Sequence, residues 1–228
     1  MKSFLLRRIC PALLLVCVAL GAAGAAVVPT AEEQETLARL EDHLSDLRSM
    51  HARFVQFNDE GGVVSGEFYL RRPGQLRFEY TPPSPVLIVA NGRQLIFYDA
   101  ELEQVTYLSL SATPLAFLIA DRFSFDRDDI EITRIQRDPG VISVSIVDPD
   151  NPGEGEITLI FSDGPLALRQ WRVVDAQGKT TTVALSEIRT TLELDDALFR
   201  FVDPHPFRHS ENTDAKTPTP RESGRRMP

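Results

Sequence analysis

Residues 65–83 read SGEFYLRRPGQLRFEYTPP, and their alternation decides the fold. At period two, Gly66, Phe68, Leu70 and Arg72 fall on one side of a strand, with Ser65, Glu67, Tyr69 and Arg71 on the other. Pro73 and Gly74 break the run, and Leu76, Phe78 and Tyr80 then resume it against Gln75, Arg77 and Glu79. The spacing predicts a hairpin with one apolar side, and the guanidinium of Arg72 stands in line with that side. Such an arginine either snorkels at an edge or pairs with something polar inside an apolar space, because a buried unpaired charge is costly.

The period-two pattern continues on both sides of this hairpin. Strands are predicted at 52–57, 63–71, 75–80, 85–90 and 93–98, then at 104–108, 130–135, 141–147, 157–161, 166–174 and 180–188. Asn91-Gly92 supplies a two-residue hairpin turn, and Asp138-Pro139-Gly140, Asp163-Gly164 and Gln177-Gly178 supply others. About eleven strands joined by tight turns predict a mainly β chain with helices, of the α+β class, forming an incomplete antiparallel β-barrel. The inward side of such a curved sheet is expected to be left partly unfilled.

Two segments depart from the β rhythm. Thr30 to Ser49 opens with the T-x-x-E capping box of Thr30 and Glu33, and Leu37, Leu40, Leu44 and Leu47 form one helical stripe. Thr113 to Ala120 begins with a cap residue and a proline, is apolar nearly all round, and leads to Phe123 and Phe125. A helix that apolar must be covered on most sides, as a lid on the concave mouth or as the plug of an ordinary core. At the far end, residues 195–201 predict a short turn that tucks Leu198 and Phe201 against the sheet.

The N-terminus reads as an export signal. Lys2, Arg7 and Arg8 precede an apolar run from Ile9 to Leu20 that ends in Ala23-Gly24-Ala25, so residues 1–25 are expected to be removed and the mature chain to be periplasmic. Both cysteines, Cys10 and Cys17, lie inside this segment and leave the mature chain without a disulfide. Losing the three basic residues takes the formal charge from −9 to −12, which argues against nucleic acid and anionic membrane surfaces as partners. Residues 26–207 are expected to form one domain, and 208–228, nearly devoid of apolar residues and marked by Pro218, Pro220 and Pro228, a disordered tail.

Catalytic apparatus is missing from the pattern. There is no G-x-S-x-G and no mature cysteine, and the histidines are His43, His51, His205 and His209. Pro206 spoils the helix that would align His205 and His209 on a metal. In the stretch from Asp148 to Glu154, Pro152 and then Leu159 stand where calcium ligands would have to be, so a solvated loop is expected. Asp126, Asp128, Asp129 and Glu131 read as wet surface, and Glu67 and Glu79 as solvent-facing rather than an acid/base pair. We expect no enzyme, no cofactor and no metal.

The residues that remain resemble a family. Met50-His51-Ala52-Arg53-Phe54-Val55-Gln56, Gly66-Glu67-Phe68-Tyr69-Leu70-Arg71-Arg72-Pro73, Leu76-Arg77-Phe78-Glu79-Tyr80, Asn91-Gly92-Arg93-Gln94-Leu95-Ile96-Phe97-Tyr98, Thr113-Pro114-Leu115 and Phe199-Arg200-Phe201 occur in the order seen in the LolA family of periplasmic lipoprotein carriers. The resemblance spans about residues 30 to 206. It implies an apolar concave face, lidded by helices, that shields the acyl chains of lipoproteins. It also implies partners: acylated lipoproteins, an inner-membrane ABC transporter that supplies them and an outer-membrane receptor that takes them, the carrier itself being a monomer. The cavity and lid are implied to draw on Leu40, Leu44, Leu47, Met50 and Phe54, on Phe68, Leu70, Leu76 and Phe78, and on Leu115, Phe117 and Leu118. Arg72 falls on the arginine of the family's R-P motif, implied to latch the lid backbone when the carrier is empty. Met50 and Leu76 stand where family members often place a bulky aromatic, and the polar tail does not resemble the added strand and helix of some members. Rival readings are a carrier or sensor of free lipid or glycolipid, because apolar walls do not read head groups, and a regulator on the same fold, which would need a second domain.

Overall fold

Alternation and turn chemistry lay down the sheet much as read. The computed structural model describes residues 27–110 and 116–204, without the side chain of Phe117. Helix α1 (Ala31–Asp46) is followed by β1 (Ser49–Asn58), β2 (Val63–Arg71), β3 (Gln75–Tyr80), β4 (Val86–Asn91), β5 (Gln94–Asp99) and β6 (Gln104–Ser109). A single helical turn, α2 (Ala116–Ile119), leads to β7 (Glu131–Asp138), β8 (Val141–Val147), β9 (Gly155–Asp163), β10 (Leu166–Asp175) and β11 (Thr180–Thr190). The expected signal segment, the tail from 208 and the Thr113–Leu115 start of the apolar helix lie outside the described residues.

All eleven strands form one antiparallel sheet in the order β6-β5-β4-β3-β2-β1-β11-β10-β9-β8-β7. Within β1–β6 and within β7–β11 successive strands pair as hairpins, and the long-range pairing of β1 with β11, for example Phe54 opposite Leu185, joins the two halves. The sheet does not close: β6 and β7 are its ends. The β7 edge is partly covered where Val27 N donates to Ile132 O at 3.0 Å.

Ring contacts fix the curvature. On a flat sheet the four strand steps from β3 to β10 would span about 19 Å, at roughly 4.8 Å per step. The rings of Phe78 on β3 and Trp171 on β10 nevertheless lie 6.2 Å apart, and Phe68 on β2 lies 5.9 Å from the same indole. The sheet must therefore curl, with these rings on its concave side. Register agrees with the expected faces: Gly66 opposes Tyr80, Phe68 opposes Phe78 and Leu70 opposes Leu76.

Helix α1 starts where its capping box predicts, with Thr30 as N-cap and Glu33 reaching back to it. It ends at Asp46 rather than Ser49, and the reason is tertiary. The Ser49 hydroxyl donates to Leu192 O at 2.8 Å and accepts from Leu192 N at 2.7 Å, which draws Ser49 into β1. The C-terminal turn tucks against the sheet as expected, the Phe201 ring lying 5.5 Å from that of Tyr98 on β5, but its most buried residue is a third one. In the short 3-10 turn Asp196–Phe199 the buried residue is Phe199, while Leu198 and Phe201 are half-buried. Arg71 selects that arrangement from the convex side: its guanidinium donates to Leu194 O at 2.9 Å and Asp196 Oδ1 at 2.6 Å and lies 4.8 Å over the Phe199 ring. Arg77 adds a hydrogen bond to Leu198 O at 3.2 Å.

Gly66 is required by packing. A Cβ there would meet Glu79 O at 2.1 Å and the Phe54 ring at 2.7 Å, so the ring of Phe54 lies over the space the glycine leaves and reaches Tyr80 at 5.0 Å. Gly66→Ala is expected to cost about 1–3 kcal/mol, and at roughly 2–4 °C per kcal/mol the loss reads as a clear drop in Tm. Arg71→Ala is expected to free the 194–201 segment: amide exchange there should rise while exchange in β1 and β11 is unchanged, with a stability loss of about 1–3 kcal/mol.

Candidate functional site

The concave side gathers the apolar stripe of α1 and the inward rows of both half-sheets. Leu40, Leu44, Leu47, Met50, Phe54, Phe68, Leu70, Leu76, Phe78 and Leu118 are all buried and belong to one continuous cluster. Leu115 and the Phe117 side chain lie outside the described residues. The cluster also takes in residues that sequence reasoning did not select: Ile142, Val144, Leu159, Phe161 and Trp171 from the second half-sheet, and Phe123 and Phe125 beyond α2. The signal for them was available, because Ile157, Leu159 and Phe161 alternate as plainly as Phe68 and Leu70 do.

Beneath α1 the interior is closed, so the partly unfilled space expected of the inner face is not found there. Leu40, Leu44, Leu70, Leu76 and Phe54 are fully buried and Leu118 is 1% exposed. The leucines of α1 occupy the place that a ligand would need. An open groove does continue the inner face beside α2, about 460 Å³ in volume. Ala116, Ala120, Ile130, Ile146, Ile157 and Val173 form its apolar lining, together with Arg127 and the carboxylates of Asp129, Asp148, Glu154, Glu156 and Asp175.

Arg72 ties the lid to the sheet. It is 6% exposed, its Nε donates to Leu118 O at 2.7 Å and its Nη1 donates to Leu44 O. The last carbonyls of a helix have no partner within it, and helix C-termini carry partial negative charge. One guanidinium therefore answers orphan acceptors at the ends of both α1 and α2. Main-chain bonds flank it, from Arg72 N to Arg48 O at 2.9 Å and from Gly74 N to Ile119 O at 2.7 Å. Gly74, at φ +79°, also accepts from Gly92 N at 2.9 Å, and the two hairpin tips approach so closely that a side chain on Gly74 would strike Gly92. Burial, with the like charge of Arg48 adding to it, pushes the Arg72 pKa down to about 10; Asp121 opposes that shift, and the group stays charged at neutral pH.

The lid elements are tied to one another by polar groups. Arg48 pairs with Asp121 at 2.9 Å. Ser45 Oγ bonds both N and O of Phe123, and Glu41 Oε1 accepts from Ser124 Oγ at 3.0 Å and Phe125 N at 2.5 Å. Toward the sheet the lid presents leucines, two exposed ion pairs (Arg39 with Asp163 and Glu32 with Arg137) and the Arg72 latch. Exposed pairs of that kind contribute about 0–1 kcal/mol each. The arrangement is thus a cover held down by apolar contact, by the buried Arg72 guanidinium and by main-chain bonds from Arg72 N and Gly74 N.

On the convex side Glu67, 36% exposed, meets His51 Nε2 at 2.6 Å, and Glu79, opposite it on β3, pairs with Arg77. Asp148 to Glu154 forms the expected loop between β8 and β9. No group of metal-ligating side chains comes together among the described residues, and no helix among them is long and apolar enough to cross a membrane.

Comparison with known proteins places this geometry. Residues 45–202 match the family model described as outer membrane lipoprotein carrier protein LolA. An outer-membrane lipoprotein carrier protein of Methylococcus capsulatus is 33% identical over 175 residues, covering 73% of this chain and 83% of that one. Its counterpart in Azotobacter vinelandii is 30% identical over 196 residues, covering 81% and 92%. Among solved structures, a LolA superfamily protein from Nitrosomonas europaea superposes with a TM-score of 0.42 at 13% identity, over 72% of this chain and 97% of that one. With an open eleven-stranded antiparallel sheet, a helical cover and a family match over most of its length, the chain belongs to the LolA family of outer membrane lipoprotein carrier proteins.

Proposed function

We propose that this chain is a periplasmic carrier that shelters the acyl chains of lipoproteins between its curved sheet and its helical lid. It takes them from an inner-membrane ABC transporter and passes them to a receptor in the outer membrane, without catalysing a reaction. The signal-like N-terminus read in the sequence, removed on export, supports the compartment. The observation that carries the reading is the buried Arg72, which holds the ends of two lid helices by their carbonyls above an otherwise apolar floor.

Magnitudes favour a carrier. Each methylene kept from water is worth about 0.8 kcal/mol, so three long acyl chains carry on the order of 30 kcal/mol of hydrophobic cost in the aqueous gap between membranes. An apolar interior answers that cost, and residues such as Leu40, Leu44, Phe68 and Trp171 would line it once the lid lifts. Delivery requires that cargo be held less tightly than it could be. Bonds that form only when the lid closes on an empty interior supply the difference, at about 1–3 kcal/mol for a charged donor.

The test combines cargo identification with the latch. Exported protein purified gently from periplasm is expected to bring acylated proteins with it, identified by mass spectrometry; recovery of free lipids alone would overturn the lipoprotein reading. Arg72→Leu is expected to raise the cargo-bound fraction and slow transfer to receptor-bearing outer membranes, by fivefold to about a hundredfold from the 1–3 kcal/mol above. Transfer as fast as in the parent would remove the latch from the mechanism.

A further inference from the structure

Two of the three nitrogens of the Arg72 guanidinium are engaged, Nε with Leu118 O and Nη1 with Leu44 O. The third, Nη2, is buried and has no hydrogen-bond partner among the described residues. Native structures seldom leave a buried donor unsatisfied, and a group left so without strain or a cofactor to explain it points to a partner that comes and goes. The nearby carboxylate, Asp121, is engaged by Arg48 at 2.9 Å and is itself exposed. The row of side chains that Arg72 continues, Leu70 and Phe68, is apolar, and so are Leu44 and Leu118 where its other nitrogens are held.

We infer that Arg72 Nη2 is a docking point for an acyl carbonyl oxygen at the head of a hydrocarbon chain, so that this residue binds cargo as well as latching the lid. The chemistry is narrow. The acceptor must arrive joined to something apolar enough to enter among leucines, and the acceptors Arg72 already holds are two neutral acyl carbonyls of the main chain. A third of the same kind completes the fork. Two sources offer it, the ester or amide carbonyls of a lipidated N-terminus and the carboxylate of a free fatty acid. The first rests on the carrier reading above. As chains enter and α1 lifts away with Leu44 O, the incoming carbonyl keeps the guanidinium satisfied, so opening does not strand a buried charge.

Three probes test this, each titrated into the full exported chain and followed through the fluorescence of Trp171, its one tryptophan. They are a synthetic lipopeptide with ester-linked palmitoyl chains, its diether counterpart without those carbonyls, and palmitate. The ester form is expected to bind the parent at least about tenfold more tightly than the diether, which corresponds to about 1.4 kcal/mol. In Arg72→Leu that ratio should fall toward one, while palmitate, which gains from the lost latch, loses no affinity. A ratio near one in the parent, or a ratio preserved in the variant, overturns the assignment. A ratio near one joined to a tenfold loss of palmitate binding in Arg72→Leu moves the acceptor to a fatty-acid carboxylate and overturns the lipoprotein source. The comparison of ligands within the parent needs no substitution, so a misfolded variant cannot imitate it. Failure of both lipopeptides to bind the parent would instead sink the carrier reading.

Discussion

An apolar container in water cannot stand empty, and that constraint shapes this molecule. A dry void large enough for a long acyl chain, about 500 Å³, would cost on the order of 10 kcal/mol at roughly 24 cal/mol per Å³. A whole domain is stable by only about 5–15 kcal/mol. The sheet therefore cannot hold its cavity open by rigidity alone. The solution is a plug made of the protein's own lid: Leu40 and Leu44 on α1 and Leu118 on α2 are buried against Phe54, Leu70 and Leu76. Curvature supplies the concave surface and α1 supplies the filling. Polar ties join α1 and Arg48 to residues 121–125, so that these segments form one unit over the sheet.

The pair Arg71-Arg72 shows how a two-residue period divides labour. Adjacent residues on a strand face opposite sides, so two consecutive guanidiniums reach two surfaces of one sheet. Arg71, outside, holds the C-terminal segment through Leu194 O, Asp196 and the face of Phe199. Arg72, inside, holds the two lid helices. The hairpin between β2 and β3 thereby becomes the point where the lid, the sheet and the end of the chain are joined, each by the kind of partner its surroundings allow. The exposed side offers a carboxylate and an aromatic face, and the buried side offers only main-chain carbonyls.

Much of this was legible in the residues, and what was not has physical reasons. Strand positions followed from alternation and turn residues, and β2, β3 and β8 have the predicted bounds, because local preference and tertiary burial agree there. The inward position of Arg72 followed from the same alternation. The last turn of the opening helix was lost because Ser49 gains two bonds to Leu192, a partner 143 residues away that no local pattern announces. Leu198 and Phe201 pack against the sheet as read, but the deeper burial of Phe199 was not legible, because it depends on Arg71 sitting where it can stack on that ring. The filling beneath α1 was missed for a different reason. Period two shows which residues face inward, but not whether a helix from elsewhere in the chain has already taken the space.

An arginine is an expensive choice for the inside of this lid, and the expense is informative. Replacing a buried charge by a well-packed apolar side chain is often neutral or stabilising, so Arg72 is poorly explained as a device for stability. As a bias between two states it is well matched. In the carrier proposed above, a sixteen-carbon chain would gain about 12 kcal/mol on leaving water, far more than the roughly 1–3 kcal/mol that the Arg72 bonds would oppose. Such bonds would not prevent loading. Moving a two-state equilibrium from 1:99 to 99:1 takes about 5.5 kcal/mol, so a bias of 1–3 kcal/mol leaves both open and closed forms within reach of their partners. A leucine at this position would leave the open form without its competitor, and a fully paired ion pair would bind the lid too firmly to the sheet. A guanidinium holding two carbonyls, with its third nitrogen unpartnered among the described residues, lies between those limits.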